Sequence, residues 1–317
     1  MEQFISSFLF SLNVTLPIIL LLLLGMWLRR SQVIDERFCD QATKVIFNIT
    51  LPLMLFFSVY GKEIDYFSQI KLLLVGIGGT VLLFLIGECL ASRFVAEKRE
   101  RSNLVQSFYR GNNGILGLAF CVNAYGQQAL TPASIYSAAL IFVYNILAVI
   151  TLTRALSNEK ITIWQMIKQV AKNPLIIAIV LGFLANVIHF QLPKPFATTG
   201  HYLADITLPF ALICAGASIN LRSLMNTSKV ATWGSLGRLL VSPLLMLFLA
   251  QLVGLSGINM GIVLLMAITP LASAAYTMTK AMGGNGTTVA NIIGITTVGS
   301  LLVSSLILMW LKHGGFI

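Results

Sequence analysis

The sequence predicts an all-α polytopic membrane protein with ten transmembrane helices. These form two inverted five-helix repeats in which helices 4 and 9 are broken at matched depth. Three observations carry that expectation. Of the 317 residues, 57 % are hydrophobic and only 10 % are charged, against about 25 % charged in a soluble domain. Ten apolar runs of bilayer-crossing length follow one another with short loops between them. The two halves of the chain also match each other at a fixed offset.

The mean hydropathy is +0.86. The runs fall at roughly 9–28, 41–60, 70–92, 103–123, 132–153, 173–190, 202–220, 230–252, 258–280 and 288–311, each close to the ~20 residues that a crossing requires. The loops left over have no room for a soluble catalytic or receptor domain. The chain opens Met1-Glu2-Gln3 without a basic segment, and its first run ends on Arg29-Arg30, so it does not read as a cleavable leader. Cys39, Cys89, Cys121 and Cys214 are scattered without paired spacing. With three separated histidines they give no metal signature, and no cofactor is expected.

The formal net charge of +10 would suit nucleic acid, but its placement points to topology. Ten crossings put both ends on one side. The loops after runs 1, 3, 5, 7 and 9, with adjoining helix ends, hold sixteen of the 21 Lys and Arg residues. Lys62, Lys71, Lys194 and Lys312 lie opposite, and Arg238 lies inside run 8. The excess of cations on the inner side then places both termini outside, in a multi-pass protein of the cell (inner) membrane. No nucleic-acid partner is expected; the lipid bilayer is.

The repeat has an offset of 157 residues. Pro17 falls on Pro174 and Gly25 on Gly182; Asn48-Ile-Thr-Leu-Pro52 falls on Asp205-Ile-Thr-Leu-Pro209; Ala124 and Gly126 fall on Ala281 and Gly283. Residues 1–156 and 157–317 are thus expected to be two five-helix repeats. Five is odd, so the second enters the membrane from the opposite face, a plan typical of secondary transporters with midplane sites.

Run 4 is interrupted by Arg110-Gly111-Asn112-Asn113-Gly114. Gly and Asn are weak helix formers, and their freed polar groups must face protein, ligand or a wet cavity at that depth. The same offset sets Gly111–Gly114 on Ile268-Thr269-Pro270-Leu271 in run 9, where Pro270 lacks a backbone N–H and clashes with the preceding turn. Two breaks at matched depth bring half-helix ends together, and half-helix N-termini suit anions. The Ile-Thr-Leu-Pro segments lie in almost wholly apolar surroundings and read as kinked scaffold without substrate contact. Gly76, Gly78, Gly79, Gly234 and Gly237 read as close-packing positions.

Polar residues inside the membrane are the functional candidates. Run 4 offers Gln106, Arg110, Asn112, Asn113 and Asn123, and run 9 offers Thr269, Ser273, Tyr276 and Lys280; Tyr144, Asn145 and Asn291 come from runs 5 and 10. The expected substrate-binding set is Gly111, Asn112, Asn113, Gly114, Thr269, Pro270, Ser273 and Tyr276. The Asn amides lead because they both donate and accept. Arg110, Glu88, Arg238 and Lys280 are the candidates for charge handling or coupling. Glu88 and Arg110 either pair with each other or leave Arg110 to attract an anion. Arg238 either snorkels or acts inside, and Lys280 is an anchor or part of an exit path. Gly283-Gly284-Asn285-Gly286 lacks the Lys-Ser/Thr of a phosphate loop, and no catalytic set is visible, so an enzyme is not expected.

Asn173-Pro-Leu-Ile-Ile-Ala178 with Gly182, Asn112-Asn-Gly-Ile-Leu-Gly117, Leu208-Pro-Phe-Ala-Leu212 with Gly216, and Arg238-Leu-Leu-Val-Ser-Pro243 resemble the auxin efflux carrier family over nearly the whole chain. The resemblance implies a ten-helix fold like that of bile acid sodium symporters and sodium/proton antiporters. It implies a scaffold of helices 1, 2, 6 and 7, and a mobile unit of helices 3–5 and 8–10. It also implies organic-anion substrates such as auxin, malate or malonate. Homodimerisation through the scaffold is the expected mode of any self-association. Asn112 occupies the place of the family's helix-4 substrate asparagine, Pro270 that of a helix-9 proline, and Lys280 that of a basic residue ending that helix. The family's prolines near 119 and 275 are Ala119 and Ala275 here, so Gly111, Gly114 and Pro270 carry the crossing. The expected function is a secondary transporter of a small organic anion. A proton- or sodium-coupled symporter using Glu88, and a channel or sensor using the same pore, are the rival readings.

Overall fold

The computed structural model describes residues 2–61, 66–156, 174–217 and 228–313. Each apolar run is helical over most of its described length, with breaks in runs 4 and 9. Helix α1 spans Glu2–Arg30, α2 Glu36–Val45, α3 Leu51–Val59, α4 Tyr66–Phe94, α5 Lys98–Tyr109, α6 Leu118–Tyr125 and α7 Leu130–Leu156. In the second half α8 spans Pro174–Val187, α9 Lys194–Asp205, α10 Thr207–Ala217, α11 Lys229–Leu236, α12 Ser242–Leu252, α13 Gly257–Ala267, α14 Ser273–Ala281 and α15 Gly286–His313. The only strand-like pairing among the described residues is one isolated bridge.

Six continuous helical stretches among the described residues are long and apolar enough to cross a bilayer: Glu36–Val59, Gln69–Phe94, Asn113–Leu156, Lys194–Ala217, Lys229–Leu252 and Gly286–Lys312. The chain is therefore an all-helical polytopic membrane protein. The stretch over Asn113–Leu156 turns at Gly126, whose φ of 70° lies in the left-handed region that glycine enters without strain. The helices Pro174–Val187 and Gly257–Ala267 are apolar but shorter, the second because the break at Pro270 cuts it. The boundary expected at residues 156 and 157 meets residues 157–173, which lie outside the described residues.

Proline chemistry explains the kinks. Pro52 and Pro243 would each drive their ring into the carbonyl four residues back, and the backbone widens into π-helical turns at Ile46–Thr50 and Gly237–Val241. Pro209 stands four residues after Asp205, the last residue of α9.

Glycines set the closest helix contacts. A Cβ on Gly25 would strike the backbone of Ile213, one on Gly216 the backbone of Leu22, and one on Gly182 the carbonyl of Phe56. So α1 packs on α10, and α8 on α3. Gly76 takes the ring of Tyr136, Gly79 takes Met246, Gly234 takes Ser107 and Gly237 takes Phe108, whereas Gly78 faces open space. Backbone approach of this kind gives helices dispersion contact where lipid offers no hydrophobic drive.

Candidate functional site

The two interrupted helices meet at their breaks. Helix α5 stops at Tyr109, a π-helical turn starts at Asn113, and between them the chain is non-helical. In the other helix α13 ends at Ala267 and α14 begins at Ser273. Gly111 and Leu271 form the antiparallel bridge. The N–H of Asn112 donates to the Pro270 carbonyl at 2.8 Å, and the N–H of Ala272 donates to the Arg110 carbonyl at 3.0 Å. Leu271 N–H donates to Thr296 Oγ1 at 3.1 Å. The backbone groups that each break frees are thus satisfied by the other break and by α15, as an apolar medium demands. Gly111 permits this approach: a Cβ there would overlap the Arg238 guanidinium, Thr269 Oγ1 and Asn113 Oδ1.

Arg238, 1 % exposed, sits in the widened turn before Pro243 and reaches both breaks. Its Nε donates to the Thr269 carbonyl at 2.6 Å, Nη1 to the Phe108 carbonyl at 3.3 Å, and Nη2 to the Met266 carbonyl at 3.2 Å and to Thr269 Oγ1 at 3.0 Å. Those carbonyls terminate α5 and α13, the ends where helix dipoles favour a cation. The network continues to Asn113, whose Oδ1 accepts from Thr269 Oγ1 at 3.0 Å and whose Nδ2 donates to Tyr144 Oη at 3.0 Å. Both ends of the Asn113 amide are therefore committed within the protein. The Asn112 side chain makes no hydrogen bond among the described residues.

Beside the crossing lies a cleft of about 360 Å³ lined by Phe47, Asn48, Arg110 to Ile115, Ile141, Tyr144, Asn145, Pro174, Leu175 and Ala272 to Ala274. Two half-helices begin on it, one at Asn113 and one at Ser273, so the first residues of both lie in its lining, at the ends where helix dipoles are positive. Among the described residues of this lining, Arg110 is the one charged side chain, and it is 2 % exposed. Its guanidinium donates to Gln106 Oε1 at 2.9 Å, Asn145 Oδ1 at 3.2 Å and Met278 Sδ at 3.0 Å. Every one of these acceptors is neutral. Among the described residues, no carboxylate lies within ion-pair distance of it.

Of the residues expected at the site, Arg110, Gly111, Asn112, Asn113, Gly114 and Ser273 line the cleft together. Thr269 and Pro270 stand behind it, holding the crossing. Tyr276, farther along α14, is not among the lining residues. Glu88 does not pair with Arg110; it meets Arg154 at 3.6 Å, with the Arg154 side chain 67 % exposed. Arg238 does not snorkel, because its donors are consumed by the crossing. Lys280 is the penultimate residue of α14, and its side chain lies outside the described residues. The scaffold reading missed Phe47 and Asn48 of the kinked helix and Pro174 and Leu175 of α8, which close the cleft from the far side. Asn48 itself is tied by Nδ2 to the Lys44 carbonyl at 2.8 Å. The signal that could have found it was the π turn that Pro52 imposes, which displaces Asn48 from a regular helical face.

A helical membrane chain whose two broken helices meet beside a cleft defines a class, the polytopic membrane proteins. Comparison with known proteins agrees: residues 10–308 match the family described as membrane transport protein, the auxin efflux carrier family, and this chain belongs to it. It is 26 % identical over 298 residues to an uncharacterised transporter of Methanothermobacter thermautotrophicus, covering 93 % of this chain and 96 % of that one. An uncharacterised transporter of Methanocaldococcus jannaschii is 23 % identical over 308 residues, covering 93 % and 97 %. A Rhizobium meliloti protein, described provisionally as a malonate transporter, is 25 % identical over 281 residues, covering 84 % and 85 %.

Proposed function

We propose that this protein is a secondary transporter of a small carboxylate, which it binds at the helix crossing and moves by alternating access. The observation that carries this reading is Arg110, a buried guanidinium with only neutral acceptors, facing a cleft onto which two half-helices open their N-termini. Burying a charge without a partner costs several kcal/mol, so the site is matched to an anion that supplies the missing charge. The carboxylate takes one guanidinium N–H that the three neutral acceptors leave, and the amide nitrogens of Asn112 and Asn145 close around it. Asn113 holds the break in shape, with Gly111 and Gly114 letting the backbone approach. Ser273 supplies a hydroxyl from the opposite half-helix. The apolar lining from Phe47, Ile115, Ile141 and Leu175 limits the solute to a short carbon skeleton, and the relative described as a malonate transporter supports that size and charge.

The ten-span architecture, with repeats at 1–156 and 157–317, is part of the same proposal. Its support is reciprocal packing: Gly25 meets Ile213 while Gly182 meets Phe56, and both pairs are related by the 157-residue offset. The cleft lies between Phe47, Asn48, Pro174 and Leu175 on one side and the crossing on the other. Relative movement of those two groups would open it to alternate faces of the inner membrane, with both termini outside. The test is thermal unfolding of the purified protein with a panel of mono- and dicarboxylates, since a ligand bound only by the folded state raises its apparent stability. A shift with short carboxylates that disappears in Asn112→Ala is expected. A flat response across the panel refutes the reading.

A further inference from the structure

Resting on the reading of the cleft as a carboxylate site, we propose that Arg110 makes this protein an exchanger. The loaded carrier changes face readily, and the empty carrier is held back by its own unbalanced charge. The argument is one of charge at the crossing. Two guanidinium groups lie there, 2 % and 1 % exposed. Arg238 is balanced: four hydrogen bonds tie it to the carbonyl ends of α5 and α13 and to Thr269, where helix C-termini carry partial negative charge. Arg110 has no such balance. It meets an amide oxygen of Gln106, an amide oxygen of Asn145 and the sulfur of Met278, and although Arg110 is the C-cap of α5, its guanidinium bonds none of that end's carbonyls among the described residues.

Glu88, the carboxylate of helix α4, pairs with Arg154 instead of Arg110. Glu100, at the start of the same broken helix, accepts hydrogen bonds from Asn103, Asn285 and Thr288 and turns away from the cleft. The guanidinium is already 2 % exposed beside the empty cleft, so its charge can be balanced only by an anion that enters that cleft. To pass through a closed state the empty carrier must shut the cleft on a bare cation. The loaded carrier buries an ion pair instead. The barrier for the empty step is higher by the desolvation of one unpaired charge, and each factor of ten in rate corresponds to about 1.36 kcal/mol of barrier.

The measurement uses the full-length protein in liposomes, with radiolabelled malonate as the probe. Net efflux into malonate-free buffer is compared with efflux into buffer containing unlabelled malonate. Exchange is expected to exceed net efflux by roughly tenfold or more. In Arg110→Gln, measured at malonate concentrations raised to offset weaker binding, the two rates converge; in Arg110→Lys exchange stays ahead. Equal exchange and net rates in the unmodified protein overturn the inference and leave the carboxylate transporter standing. The inference also falls, with the transporter intact, if Arg110→Gln keeps the full excess of exchange. Absence of any saturable malonate flux, with no thermal shift by carboxylates, overturns the proposed function and this inference with it. The comparison in the unmodified protein needs no variant to fold.

Discussion

Replacing Arg238 by Met tests whether the crossing is held from outside by this one side chain. Met fills a similar volume and offers no donor. The Phe108 carbonyl would lose its partner, because the residue four positions on, Asn112, has its N–H committed to Pro270. The Thr269 carbonyl would lose the 2.6 Å bond from Nε. The Met266 carbonyl keeps the Thr269 N–H at 3.4 Å, the single Thr269 hydroxyl proton being shared between that carbonyl and Asn113 Oδ1. Two buried carbonyls are therefore orphaned, at about 1–3 kcal/mol each, and the total of about 2–6 kcal/mol is a large part of the roughly 5–15 kcal/mol that typically holds a domain together. Removing a charge that is costly to bury offsets part of this, so a net loss near the lower end is expected. The assay is thermal unfolding of the detergent-solubilised protein, where the variant should melt several degrees lower. Arg238→Lys, which keeps the charge but loses the planar fork, should recover less than half of the loss. If Arg238→Met melts within about one degree of the unmodified protein and still transports, Arg238 is not the staple described here.

Three further outcomes are expected. Asn112→Ala should weaken carboxylate binding by about 1–3 kcal/mol, or roughly 5- to 150-fold in Kd, with little change in melting temperature, because its side chain bonds nothing among the described residues; Asn113→Ala should lower both, since its amide joins Thr269 to Tyr144. Gly111→Ala should abolish transport and destabilise the fold through collision with Arg238, Thr269 and Asn113, while Gly78→Ala, facing open space, should do neither; melting curves and malonate flux check both. Glu88→Gln should change stability by no more than about 1 kcal/mol, because its pair with Arg154 is partly exposed, and should leave transport insensitive to an imposed pH gradient. A gradient-driven flux lost in that variant would restore the proton-coupled reading.

Hydropathy, proline and glycine determined most of the fold in advance. Each apolar run becomes a helix because the bilayer leaves the backbone no other way to satisfy its polar groups along a single segment. The breaks at Gly111 to Gly114 and at Pro270 were legible because glycine and proline act through the local backbone and need no tertiary context. Their meeting was foreshadowed by the offset between the halves, and Gly25 and Gly182 were marked by the same offset.

What remained was decided by directions that no local pattern encodes. Arg110 and Arg238 are the same residue type at similar depth in two helices. The tertiary structure gives the Arg238 guanidinium helix C-terminal carbonyls and the Arg110 guanidinium two amide oxygens and a sulfur, so the first is a staple and the second is without a charged partner among the described residues. Asn112 and Asn113 are adjacent and chemically identical. Only the positions of Thr269 and Tyr144 commit the second amide to the protein, while the first bonds nothing among the described residues. The sequence by itself determined where the helices run and where they fail, because those are properties of the backbone in an apolar solvent. Which polar side chains are spent on the fold and which are left over was decided by the tertiary structure, because a hydrogen bond depends on a partner that the chain delivers from far away.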